Sequence, residues 1–145
     1  MWLAGAIASP LLNHLVLQQT AMAFINSARL AIQQLPQGDL TRVVLEYLLQ
    51  HGLGRVNARP WSQIEADLSA NGIYISQQQF QQGILAASRA GDIFIGSNDH
   101  GTGRGYFLIQ DRDDAEFARE FYNRRIAAQQ ANLDHLNALI LQQWP

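Results

Sequence analysis

The chain has 145 residues, no cysteine, 48% hydrophobic residues and a formal net charge of −2. That length suits one domain with a real core, and so apolar a composition excludes a disordered polymer. The absence of cysteine excludes a disulfide framework and a thiolate metal site, and the slight acidity means that the chain as a whole is no polycation for nucleic acid.

Residues 1–17 are mostly apolar, as in Trp2-Leu3-Ala4-Gly5-Ala6-Ile7-Ala8. No basic segment leads this stretch, Asn13 and His14 interrupt it, and it is too short for a membrane span, so a cytoplasmic protein is expected. After Pro10, which suits a first helical turn, residues 11–35 predict one long helix with Leu11, Leu15, Met22, Ile25 and Ile32 at three-to-four spacing. Pro36-Gln37-Gly38 stops it. Asp39 can cap a second helix whose buried face is Val43, Val44, Tyr47 and Leu48, and the glycines at 52 and 54 end it. A loop is expected over 55–60, then a short helix over 61–70 with Ile64 and Leu68 inward. Asn71-Gly72 reads as a turn and Ile73-Tyr74-Ile75 as a short extended link.

Ser76 is the cap of a fourth helix, with Phe80, Ile84 and Ala87 inward and Gly91 as its stop. Asp92-Ile93-Phe94-Ile95 starts a strand, the glycine-rich stretch 96–105 turns the chain, and Tyr106-Phe107-Leu108-Ile109 returns it. Phe80, Ile84, Ile93 and Phe107 are expected in one core. Residues 113–144 lack Pro and Gly, which predicts a helix of about eight or nine turns. The fold class is therefore mainly α with a small β-hairpin. It reads as a winged helix-turn-helix over 39–110, flanked within one domain by a long N-terminal helix in 1–38 and a long C-terminal helix in 111–145.

The last helix carries a partial heptad through Tyr122, Ile126, Gln129, Leu133, Leu136, Ile140 and Gln143. Its stripe either packs on the chain's own first helix or pairs with a second copy. Two surplus stripes on a small domain favour a homodimer, with Leu15, Met22, Ile25, Tyr122, Ile126, Leu133, Leu136 and Ile140 as its dimerisation residues.

The outward face of the fourth helix presents Gln78, Gln82, Leu85 and Arg89, beside further glutamines. Gln can bond two atoms of adenine in the major groove, and Arg can reach guanine or phosphate. A solvated polar face explains the glutamines equally well, and Leu85 is more natural against protein than against DNA. Arg104, between Gly103 and Gly105, can reach a phosphate or a minor groove with help from His100; alternatively, the glycines only make a pliant tip. Gly101, Gly103 and Gly105 have the wrong spacing for a dinucleotide site. The candidate nucleic-acid set is Gln77, Gln78, Gln81, Gln82, Arg89, His100 and Arg104. Residues 40–110 hold as many acidic as basic side chains, so phosphate binding would need Arg42, Arg55, Arg59, Arg89 and Arg104 on one face.

Other constellations point to no chemistry. Asp111, Asp113, Asp114 and Glu116 lack a calcium loop's glycine and read as acids at a helix start. His14, His51, His100 and His135 show no ligand spacing. Arg124-Arg125 reads as helix-surface pairing near Glu120. No nucleophile elbow or acid pair stands out, so no enzyme, cofactor or metal is expected.

Ile75-Ser76 with Phe80 and Ile84, then Arg89-Ala90-Gly91-Asp92-Ile93, Arg104-Gly105-Tyr106-Phe107-Leu108-Ile109, and an acidic helix start running to Tyr122-Asn123-Arg124-Arg125-Ile126, together resemble small phage and prophage winged-helix proteins. The resemblance covers about residues 39–141. It implies a winged-helix fold and DNA binding without enzyme activity. The chain departs from that pattern in its glutamine-rich fourth helix and its added first helix. The layout is also similar to dimeric repressors of the antibiotic-resistance-regulator type. The expected function is a dimeric winged-helix DNA-binding protein, either a transcriptional regulator or a phage-derived accessory factor. The alternative is a winged-helix module for protein–protein interaction.

Overall fold

A computed structural model describes residues 10–99 and 103–145, with the side chains of 14–24 outside the description. The chain is mainly helical with one small antiparallel sheet. Helix α1 (Pro10–Gln33) leads to α2 (Leu40–His51), α3 (Trp61–Ala70) and a continuous helix over 77–90 (α4). Strands β1 (Ile95–Asn98) and β2 (Gly105–Leu108) form the hairpin, and α5 (Arg112–Gln143) closes the chain. Among the described residues no helix is long and apolar enough to cross a membrane.

Local chemistry fixes the helix ends. The Asp39 carboxylate accepts the Thr41 N–H at 2.8 Å and starts α2, whose Val44, Leu45, Tyr47 and Leu48 are buried. Arg42 donates to the carbonyls of Gln33 and Leu35 at 3.2 and 2.7 Å, satisfying the open end of α1. At the end of α3, Ile73 N–H bonds Leu68 O and Gly72 N–H bonds Ser69 O, with Gly72 left-handed at φ 78°. Ser76 and Gln79 cap α4 reciprocally, each side chain accepting the other's backbone N–H, at 3.0 and 2.8 Å.

The middle of α4 departs from the expected periodicity. Residues Phe80–Ile84 form a π turn, in which the Leu85 N–H reaches back to Phe80 O. The wider turn shifts the helix phase by one residue. Phe80 and Ile84 are buried as expected, but Ser88 takes the inward place assigned to Ala87, which is exposed. The Ser88 hydroxyl donates to Ile84 O at 2.8 Å, so its burial leaves no orphan group. The same shift lays Leu85 half-buried against the main core instead of on the outward face.

At the C-terminal end of α4 the left-handed residue is Asp92 (φ 60°), with Gly91 staying at φ −91°. Asp92 N–H bonds Arg89 O and Ile93 N–H bonds Ser88 O. The strand consequently begins at Ile95, after this cap, and not at Asp92.

The segment between α2 and α3 is more than a loop. A 3₁₀ turn (Arg55–Asn57) separates isolated bridges from Leu53 to Leu108 and from Arg59 to Tyr106. Arg59 and Tyr106 exchange both backbone hydrogen bonds at 2.8 Å, so this segment lines the free edge of β2. A Cβ at Gly105 would collide with the Arg59 carbonyl, which is why the approach needs glycine there.

Strand alternation divides the core. Ile95 and Leu108 join Ile32, Val44, Leu45, Leu48, Ile64, Leu68, Phe80, Ile84 and Ile93 in the main cluster. Phe107 faces the other way and covers Gly96; it belongs with Ile109 and Ala118 under α5, apart from the core that Phe80, Ile84 and Ile93 share. Phe80 sits between Trp61 and Tyr106, with ring centroids at 5.0 and 4.7 Å.

Among the described residues, helix α5 meets the body along its first turns, as far as Tyr122, whose ring meets that of Phe94 edge-on at 6.0 Å, and Arg124, which pairs with Asp99. Asp111 caps it, accepting the Asp114 N–H at 2.9 Å. Asp114, Ala118 and Phe121 are buried, and every residue from Tyr122 onward is exposed. Among the described residues, no contact between the stripe of α5 and α1 is seen.

Candidate nucleic-acid interface

Helix α4 and the hairpin carry the residues singled out for nucleic acid. Gln77, Gln78, Gln81 and Gln82 are all exposed on the first turns of α4. Gln78 donates to Gln82 at 3.3 Å, so the two lie one above the other. The Gln81 amide donates to the Tyr106 hydroxyl at 3.3 Å and links α4 to β2. Arg104 is exposed two residues before Tyr106, and Asn98 closes the turn by donating to Gly103 O at 2.9 Å. Arg89 is exposed near the far end of α4, its Nε donating to Leu85 O at 3.2 Å. His100 lies outside the described residues.

With Leu85 turned onto the core, the exposed positions of α4 are Gln, Gly, Ala and Arg. Gly83 stands at the centre of the π turn with nothing within 4 Å of where a Cβ would be. Glycine in an exposed helix costs about 1 kcal/mol against Ala, and neither packing nor backbone angle requires it here. Two features escaped the sequence reading. One is the bare patch at Gly83 on this face. The other is Tyr74, which is 77% exposed just before α4, beside Glu65 and Ser69 of α3, while its neighbour Ile75 is buried. Apolar alternation in Ile73-Tyr74-Ile75 was the available signal for the tyrosine.

The arginines divide into those that bond to other elements of the fold and those, like Arg89, that bond only within their own helix. Arg42 also pairs with Glu46 at 2.8 Å while holding the end of α1. Arg55 lies over the Phe117 ring at 5.2 Å and 3.9 Å from the Asp114 carboxylate. Arg59 donates to His51 O at 3.0 Å. These three serve the fold, so the gathering of five arginines on one face reduces to Arg89 and Arg104. Arg124 pairs across to Asp99 of the hairpin at 3.7 Å, tying the tip to α5 instead of pairing with Glu120; Arg125 lies over Phe121 at 5.3 Å.

Two polar contacts hold the scaffold behind this face. Asp114 is buried and accepts the backbone N–H groups of Gln110 and Arg55 at 3.0 and 3.3 Å. The Tyr47 hydroxyl donates to Asp67 at 2.6 Å, joining α2 to α3. Burial and then the Asp67 carboxylate push the Tyr47 phenol well up, so it remains a donor at neutral pH. The hydrogen bond from Tyr47, followed by that from Gln63, holds the Asp67 carboxyl below its ordinary value.

Of the dimerisation residues, Tyr122, Ile126, Leu133, Leu136 and Ile140 are all exposed along α5. Ile25 is half-buried in α1, and the side chains of Leu15 and Met22 lie outside the description. No family model, curated protein or solved structure matches this chain.

Proposed function

We propose that this chain is a winged-helix DNA-binding protein, serving as a transcriptional regulator or a phage-derived accessory factor. In this reading α4 enters the major groove and the hairpin follows the phosphate backbone. The order α2, paired segment, α3, α4, hairpin supports it, because that is the order of a winged helix-turn-helix. The observation that carries the reading is the exposed face of α4. It is polar and small throughout, with stacked Gln78 and Gln82 able to meet base edges and Gly83 leaving room for close approach.

Fluorescence anisotropy with labelled duplexes at low and moderate salt tests this directly. Affinity should fall with salt, but shallowly. Two arginines per protomer correspond to a logarithmic slope of about −2. Gln82→Ala should cost roughly 1–3 kcal/mol on a preferred site and little elsewhere. No duplex binding even at low salt would overturn the reading. The engagement of Arg42, Arg55 and Arg59 within the fold favours the second reading in that event, a winged helix that binds protein through the same face.

A further inference from the structure

Beyond Arg124 no contact of α5 with the body is seen among the described residues. From Tyr122 to Gln143 the helix runs about 33 Å, and every residue of it is exposed. Most helical stability in proteins comes from packing an apolar face. Here the face is apolar except at Gln129: Tyr122, Ile126, Leu133, Leu136 and Ile140 are between 38% and 65% exposed. Tyr122, Arg125, Ile126, Gln129, Gln130 and Leu133 line a concave strip along it.

We infer that residues 122–143 pair with the same residues of a second copy of this chain in a parallel, in-register two-stranded coil. The inference does not rest on DNA binding. Three features select this occupant. The first is the seam: Ile126, Leu133 and Ile140 occupy its a positions, with Tyr122, Gln129, Leu136 and Gln143 at d. Ile at a with Leu at d favours two parallel strands, and a polar residue in the seam fixes register by meeting its own copy.

The second feature is charge. Within residues 122–143 the charged side chains are Arg124, Arg125 and Asp134, with His135 beside the last, and all four lie off the a and d positions. The seam itself therefore sets no like charges against each other, and no charged stripe runs its length to recruit a partner of opposite sign. The third is the flanks. In a parallel coil each g residue lies beside the e residue of the partner's next heptad. That pairs Arg125 with Gln130 and Asn132 with Asn137, so that polar meets polar. An antiparallel arrangement centred on Leu133 would set Arg125 against Leu139.

The full chain at micromolar concentration should give twice 16.2 kDa by light scattering or sedimentation equilibrium. Leu133→Asp with Leu136→Asp should give the monomer mass. Near-UV circular dichroism should stay that of the folded body, because neither side chain touches it. Orientation is read by cross-linking, which the absence of native cysteine makes clean. Gln129→Cys should form an interchain disulfide on mild oxidation, and Ala131→Cys, on the outer face, should not. A monomeric wild type would overturn the proposal, and so would a dimer that survives the double substitution. A dimer in which Gln129→Cys fails to cross-link would overturn the parallel register.

Discussion

Asp114 illustrates how a residue can be read correctly for one role and hold another. Its place in an acidic helix start is a local feature, and Asp111 caps α5 as the spacing suggests. Its buried carboxylate, however, accepts N–H groups from Gln110 and from Arg55, far earlier in the chain. Asp114→Ala strands both donors and should lower stability by about 2 kcal/mol, read as a lower urea midpoint with an unchanged slope. Asp114→Asn should recover part of the loss, since its one carbonyl oxygen still accepts. Tyr47 and Asp67 give the pH dependence. With its carboxyl held below the ordinary value when folded, Asp67 takes up a proton more readily in the unfolded chain. The pair's contribution is therefore complete above about pH 4 and fades as pH falls through the lowered value. Tyr47→Phe should lower the urea midpoint at neutral pH, and its difference from wild type should shrink on acidification.

Among elements, α4 departs furthest from its pattern. Three-to-four spacing places Phe80 and Ile84 inward, but a π turn is invisible to periodicity, because hydrogen bonding in the packed helix decides it. That turn moved Ser88 inward and Leu85 onto the core, and so removed the apolar residue from the face assigned to DNA. The end of α4 shows a related effect. Gly91 marks the stop, yet Asp92 holds the left-handed angle. Asp92→Gly removes the Cβ conflict at φ 60° and should raise stability by about 1 kcal/mol, measured as a higher thermal midpoint. The loop expected over 55–60 is part of an edge segment, Leu53 to Arg59, whose partners, Leu108 and Tyr106, lie in a distant part of the chain. No local signal announces such pairing.

On the scale of the whole molecule, the exposed cations of α4 and the hairpin are few. Arg104→Ala should weaken duplex binding on all sequences alike and flatten the salt slope by about one unit; a sequence-selective loss in anisotropy would instead make Arg104 a base reader. The sequence by itself determined the helices, the Asp39 and Ser76 caps, the hairpin and the apolar stripe of α5, because these follow from apolar spacing, capping side chains and glycine, all of which act within a few residues. Only the tertiary structure decided which arginines were consumed by the fold, which way Leu85 and Phe107 turned, and that α5 leaves the hairpin after Arg124. Each of these is settled by contacts between segments remote in the chain: a carbonyl of α1 for Arg42, the underside of α5 for Phe107, and the Asp99 carboxylate for Arg124.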